Sequence, residues 1–385
     1  MAIDVNLPRP FRIDVPQAKL DRIRAAVAAA ELPPAPSDDA SWRYGVDVAW
    51  LAGFLDYWAT AYDWRAEEAR LNAWPQIKAE VDGIDVHAFH VRGSASRPRP
   101  LILTHGWPGS AYEFVELIEP LCFPGRCGGD PEDGFDLVIP SLPGVGFSAA
   151  PSRPIGPRRI AELWRKLMVE TLGHERFAAQ GGDLGSAVST WLGADHADVV
   201  AAIHLNLCIP PMNDPTADPD ELAWRSDYVA VQQRESAYMV EHATKPQTVA
   251  AVLSASPVAL AAWVLEKFQS WGDTGGDIES RFSKDQLIAN LMFYLAEDRA
   301  GTAIWLYRGA AEERAAGRFE GLKVAVPTAI SLFPKEFLPP APRIAVERYY
   351  DVRRWTRMAA GGHFAALEEP KALADDIRVF LRDHL

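Results

Sequence analysis

Cysteine is scarce in this chain, with three in 385 residues. That excludes a disulfide framework, and the odd count leaves one thiol unpaired in any scheme. Cys122 and Cys127 are near enough in sequence to bridge, but nothing else supports that pairing, and no cysteine spacing matches a zinc site. The usage points to a reducing, cytoplasmic compartment. Positive charge is also short: 39 Lys and Arg stand against 52 Asp and Glu, a formal net charge of -13. Arg158-Arg159 and Arg353-Arg354 are too few to form a basic block, and an acidic surface repels phosphates, so nucleic acid is excluded as a partner. Long apolar runs are missing too. Residues 249–268 come nearest, but Ser254, Ser256, Pro257 and Glu266 interrupt them, so they read as a packed helix or loop–helix. The first six residues have neither the positive region nor the apolar core of a signal peptide.

What is present is ordinary for a globular protein: 48% hydrophobic and 24% charged residues. The length suits one large domain with additions. Residues 16–30 place Leu20, Ile23, Ala26 and Val27 on one helical face, and Pro33-Pro34-Ala35-Pro36 ends that helix. A second helix is expected over residues 46–62, with Trp42, Trp50, Trp58 and Trp64 as core anchors. From Gln76 the period changes to two. Ile77, Ala79 and Val81, then Ile84, Val86 and Ala88, alternate with polar residues around Asp82-Gly83, which predicts a hairpin.

Short apolar runs then alternate with helical stretches. Strands are expected at 101–104, 135–140, 177–180 and 199–207, and helices at 112–121, 160–172 and 186–193. This is the pattern of a parallel sheet with helices on both faces. It breaks at Cys208-Ile209-Pro210-Pro211 into a long helical stretch. Strands at 325–332 and 355–359 and a helix at 371–385 then complete it. A helical insertion at that point caps the carboxyl edge of the sheet, where open α/β sheets bind ligands.

The most informative segment is Phe177-Ala178-Ala179-Gln180-Gly181-Gly182-Asp183-Leu184-Gly185-Ser186. Read as strand–turn–helix, it is a nucleophile elbow with aspartate where esterases carry serine. Gly181 and Gly185 provide the small residues that so tight a turn needs. A carboxylate nucleophile forms an alkyl ester with a carbon bearing a leaving group, which points to epoxides or alkyl halides. Such a nucleophile needs an oxyanion hole, a base and an acid that orients the base, in the chain order nucleophile, acid, histidine. His363, between the last strand and the last helix, is the base candidate; otherwise it is a loop histidine capping that helix. Glu336, just after the strand ending at Leu332, is the acid candidate, with Asp351 as its competitor. The loop His105-Gly106-Trp107-Pro108-Gly109-Ser110 offers the Trp107 N–H, and Leu184 after the nucleophile offers the second. His105 reads as a structural hydrogen-bonding residue.

With these residues in order, the chain resembles the α/β-hydrolase epoxide hydrolases, in particular the microsomal and juvenile hormone epoxide hydrolase branch. The match lies in His105 to Ser110, Gly181 to Ser186 and Gly361-Gly362-His363-Phe364. It extends to Tyr57-Trp58, Tyr62-Asp63-Trp64-Arg65, Leu71-Asn72 and Ile84-Asp85-Val86-His87 of an N-terminal segment. Leu184 departs from the family's usual tryptophan, but the donor there is backbone. The resemblance implies an α/β-hydrolase fold divided into an N-terminal segment at 1–95, a core at 96–209 and 321–385, and a helical cap at 210–320. It also implies two cap tyrosines that hold the epoxide oxygen, which match Tyr238 and Tyr307; Tyr228, Tyr349 and Tyr350 have no such match.

The expected reaction converts a hydrophobic small-molecule epoxide to a diol through an ester on Asp183, with no metal or organic cofactor. The N-terminal anchor of the branch's membrane-bound members does not carry over, so a soluble protein is expected. Homo-oligomerisation is left open. A haloalkane dehalogenase shares the nucleophile, and a silent fold binding a hydrophobic small molecule is the other alternative.

Overall fold

In the computed structural model, residues 7–38, 42–317 and 320–385 are described. The N-terminal hexapeptide lies outside them. In the described residues, a nine-stranded sheet runs in the order β1-β2-β3-β5-β4-β6-β7-β8-β9. The N-terminal segment supplies β1 (Arg9–Phe11), α1 (Gln17–Ala28), α2 (Val48–Thr60) and α3 (Trp64–Leu71). β1 and α3 were not expected: three residues are too few for a strand period, and α3 reads as polar. Asp63 caps α3 by accepting from the Arg65 and Ala66 N–H groups. Trp58 and Trp64 enter the core, while Trp42 and Trp50 lie half-buried against each other with their rings tilted by 48°.

β2 (Gln76–Val81) and β3 (Ile84–Arg92) form the expected antiparallel hairpin, with Val81 opposite Ile84. Asp82 and Gly83 both take positive φ, +49° and +77°, as a tight hairpin turn requires. β3 then pairs antiparallel with β5 (Phe135–Pro140). From β5 through β4 (Arg99–Thr104), β6 (Phe177–Gly181), β7 (Val200–Leu205), β8 (Val324–Leu332) and β9 (Tyr350–Arg357), every pairing is parallel. All residues of β5, β6 and β7 are buried, which is why their sequences are continuous apolar runs rather than alternations. The fold is therefore a mostly parallel α/β-hydrolase sheet.

The helices packed around it are α4 (Val115–Cys122), α5 (Pro157–Lys166), α6 (Asp183–Asp195), α13 (Arg343–Glu347), α14 (Ala365–Glu368) and α15 (Pro370–Leu381). Four expected boundaries need correction. The helix expected at 112–121 opens as a 3-10 turn, Ala111–Phe114, because Ser110 accepts from Tyr112 N–H and tightens the entry. The helix expected at 160–172 relaxes into a π-turn at Leu167–Thr171. The helix expected from Ser186 begins at Asp183 itself. The strand expected at 355–359 runs instead from Tyr350 to Arg357. As the sheet's edge it carries Asp351, Arg353 and Arg354, whose charges hide the strand signal. α15 is held to the sheet by buried Asp376, which meets His204 of β7, Ser331 of β8, and Arg354 and Thr356 of β9.

Between β7 and β8 the chain leaves the sheet through α7 (Pro219–Glu235), α8 (Ala237–Thr244), α9 (Pro246–Ala255), α10 (Pro257–Trp271), α11 (Lys284–Leu295) and α12 (Trp305–Ala315). α9 and α10 resolve the apolar stretch near residue 260 into two helices bent by 115°. Among the described residues no single helix is long and apolar enough to cross a membrane. All three cysteines are free, so the Cys122–Cys127 bridge does not form.

Candidate active site

β4 and β6 are neighbours, with Thr104 opposite Gly181, so the segments leaving their ends are brought together. One carries Asp183 and the other carries Trp107. Asp183 is the first residue of α6 and has φ +48°. A non-glycine residue in this left-handed region costs on the order of 1–3 kcal/mol and persists only where its surroundings enforce it. Close backbone packing enforces it here. A Cβ on Gly185 would strike the Thr104 carbonyl, and one on Gly181 would strike the Gly185 carbonyl. A Cβ on Gly106 would occupy the space of the Asp183 carboxylate itself.

The Trp107 N–H donates to Asp183 Oδ1 at 2.9 Å. The Leu184 N–H belongs to the first turn of α6, where backbone donors have no acceptor within the helix and favour negative charge. The loop bearing Trp107 is clamped from the helical excursion. Asn290 donates to Pro108 O at 2.9 Å and accepts from Ser110 Oγ at 2.8 Å, while Tyr294, one turn on, donates to Gly109 O. His105 spends both ring nitrogens on backbone. Nδ1 donates to Gly106 O at 2.8 Å and Nε2 accepts from Leu142 N–H at 3.1 Å. Burial pushes its pKa down to about 4, so it stays neutral.

His363 lies between two carboxylates. Its Nδ1 is 2.9 Å from Glu336 Oε2, and its Nε2 is 3.4 Å from Asp183 Oδ2. Asp351 pairs with Arg353 on the edge strand instead. Glu336 and His363 follow the adjacent strands β8 and β9, and the Lys335 N–H donates to Gly361 O at 3.0 Å, tying the two loops. Burial alone would lower the His363 pKa, but Glu336 and Asp183 together raise it well above the ordinary histidine range. The two flanking carboxyl groups thus favour the protonated imidazole.

Tyr238 of α8 and Tyr307 of α12 face this group from the excursion, with their hydroxyls 3.5 Å apart. The Tyr238 ring stacks on Trp107 at 5.1 Å and 16°, and Tyr307 meets Trp107 edge-on at 5.8 Å. Burial, reinforced by the Asp183 charge, raises both phenol pKa values far above the ordinary value, so both remain donors. Asp183, Leu184, Tyr238 and Tyr307 line one cavity of about 690 Å³. Its walls include Trp191, Leu207, Met212, Phe337 and Leu338. The volume lies within the ordinary range of small-molecule sites. Tyr350 lines the same cavity, but its hydroxyl is bonded to Thr190.

Several residues at this site carry no signal in the sequence. Glu113 reads as a solvated helix carboxylate, yet it is buried, and burial pushes its pKa up to about 8. With Asp183, His363, Trp107 and Asn206 it lines a separate cavity of about 20 Å³, room for one water. Glu368 accepts from the N–H groups of Asp273, Gly362 and Phe364 at 2.7, 2.8 and 2.9 Å, fixing the backbone on both sides of His363. Trp271 packs edge-on against the His363 ring at 5.0 Å, and its carbonyl accepts the His363 N–H at 3.0 Å. Glu113 and Trp271 lie far from His363 in the chain, and only the fold brings them to it.

The chain is similar to known proteins over nearly its whole length. Residues 8–114 match the family described as epoxide hydrolase N terminus, and residues 99–247 match the alpha/beta hydrolase fold. Epoxide hydrolase 1 of Sus scrofa is 33% identical over 402 residues, covering 97% of this chain and 88% of that protein. Juvenile hormone epoxide hydrolase 2 of Ctenocephalides felis is 32% identical over 404 residues, covering 97% and 85%. The solved structure of the Aspergillus niger epoxide hydrolase is 32% identical, with a TM-score of 0.86 over 98% of this chain and 97% of that one.

Proposed function

The chain belongs to the epoxide hydrolase family, and we propose that it opens its epoxide by direct attack of Asp183, with residues 210–320 acting as the cap. The Trp107 N–H holds Oδ1, so Oδ2 is the attacking oxygen. As the new C–O bond forms, the epoxide C–O bond breaks and its electron pair moves to the ring oxygen. That oxygen takes a proton from Tyr238 or Tyr307. The product is a hydroxyalkyl ester on Asp183. The ester is neutral, so one of the two carboxylates raising the His363 pKa is gone. His363 then loses its proton, which restores the tyrosine, and becomes a base.

Water held in the small cavity beside Glu113 gives a proton to His363, and its oxygen attacks the ester carbonyl. The Trp107 and Leu184 N–H groups hold the resulting oxyanion. Collapse expels the diol oxygen, which recovers a proton from His363. The new carboxyl returns a proton to His363, and the starting ion pair is regained. Leu184 has no side-chain donor for a departing halide, so dehalogenation finds no support there. The apolar walls of the larger cavity favour a hydrophobic epoxide.

The observation that carries this reading is the line Glu336–His363–Asp183, with separations of 2.9 and 3.4 Å and the Trp107 donor on the far carboxylate oxygen. A single turnover in ¹⁸O-water with enzyme in excess tests it. The diol should be mostly unlabelled, and the label should appear in the peptide containing Asp183. Label in the first-turnover diol, with none on Asp183, would make the carboxylate a general base.

The tyrosines give an independent check. Tyr238→Phe and Tyr307→Phe should each slow ester formation in single-turnover experiments, because one phenol partly covers for the other. The double variant should lose about 10²–10⁴-fold, the usual worth of general-acid assistance. An unchanged rate in the double variant would remove both from the mechanism.

A further inference from the structure

At the opposite end of the sheet, where β4, β5 and β6 begin, three side chains from separate segments converge. Asp136 is the second residue of β5 and pairs with Arg92 of β3, so His90 is its diagonal neighbour on the same face. His174 lies between the π-turn and β6, its backbone fixed by an N–H bond to Met168 O at 2.9 Å. His90 Nε2 is 3.0 Å from Asp136 Oδ1, and His174 Nε2 is 3.8 Å from Asp136 Oδ2. All three donor atoms lie within 4.8 Å of one another.

His174 Nε2 is the informative atom. It is buried, and it has no hydrogen-bond partner. A separation of 3.8 Å from Oδ2 is too long for a hydrogen bond. The Asp136 carboxylate is buried and turns one oxygen to each ring.

We propose that His90, Asp136 and His174 form a Zn²⁺ site that clamps β3, β5 and the approach to β6, with water as fourth ligand. Two imidazoles and one carboxylate suit Zn²⁺, whereas Ca²⁺ and Mg²⁺ want oxygen alone. Bonds of about 2.0–2.1 Å in a tetrahedral shell separate neighbouring ligand atoms by about 3.3 Å. The 3.0 and 3.8 Å separations run to different oxygens of Asp136, so the carboxylate or a ring must turn for one ion to reach all three donors, which lie within 4.8 Å of one another.

The test uses the full chain, stripped with chelator and titrated with ZnCl₂ by calorimetry and thermal unfolding. One Zn²⁺ per chain should bind. At a hundredfold excess over the dissociation constant, the unfolding midpoint should rise by about 3 °C. His174→Gln should abolish both the binding and the rise. Cys127→Ser should keep both, since the exposed Cys127 thiol is the alternative ligand. Co²⁺ added to the unaltered protein provides a readout that needs no variant. Visible bands of a tetrahedral nitrogen–oxygen site support the assignment; a near-ultraviolet thiolate band overturns it. No stoichiometric binding, or binding that survives His174→Gln, overturns it as well.

Discussion

Asp183→Ala should form no diol, with turnover reduced on the order of 10⁴–10⁶-fold, as expected when a nucleophile is removed from a cooperating set. It should nevertheless unfold at close to the temperature of the unaltered protein. The elbow is held by packing of Gly181, Gly185 and Thr104 backbone, none of which involves the carboxylate. Aspartate tolerates the left-handed region somewhat better than alanine, so φ +48° takes a small part of the variant's stability. Losing the carboxylate leaves His363 with Glu336 alone, and the imidazole can adjust by releasing its proton. Turnover measured on protein of verified thermal stability decides the matter. Substantial diol formation by a folded alanine variant would refute the nucleophile assignment.

His363→Gln should stop the reaction half-way. On the proposed mechanism, ring opening needs Asp183 and a phenol, whereas ester hydrolysis needs the base. The variant mixed with epoxide should therefore gain one substrate mass, found on the Asp183 peptide. Its breakdown should slow by about 10²–10⁴-fold. Normal turnover, or no adduct despite binding, would contradict the role. The same histidine predicts a pH effect whose sign follows from its neighbours. Its pKa is raised in the free enzyme by Glu336 and Asp183. Ester formation removes the Asp183 charge, so the pKa governing hydrolysis should fall below that of the free enzyme. Single-turnover hydrolysis followed against pH, beside an NMR titration of His363, compares the two. The stability that His363 gains from its partners has the opposite pH sense from that of a paired carboxylate. It is full below the unfolded histidine pKa and is lost as pH rises through the elevated folded value.

The elbow was legible because its requirements are steric and local: two glycines flank a carboxylate directly after an apolar run. His363 and Glu336 were legible from chain order, since the ends of parallel strands meet at one edge. Tyr238 and Tyr307 were not legible from residues alone. They look like any packed aromatics, and the resemblance to a family was needed to single them out. Glu113 and Glu368 were missed because a sequence does not distinguish a solvated carboxylate from one enclosed by loops distant in the chain. Asn290 and Tyr294 sit among the apolar residues of α11, and their purpose appears only when that helix meets residues 108–110. The β9 boundary was misread because edge strands dilute the apolar signal with charge.

The clamps on the catalytic loops have a consequence for protein engineering. Phe268 and Trp271 of α10 stack on Phe364 and Phe337 at 3.9 and 4.5 Å, while α11 bonds the Trp107 loop. Half of the helical excursion is thus joined to the very loops that carry His363 and Trp107. The remainder is less tied to those loops, but α8 and α12 must still present Tyr238 and Tyr307 to Asp183. A chimera cut at the chain positions where the excursion leaves and rejoins the sheet would pair foreign helices with native loops and misplace His363 and Trp107. A workable transplant would need to move α10 and α11 together with residues 105–110, 333–337 and 361–368. The interchangeable unit is discontinuous in sequence, and contacts rather than chain order define it.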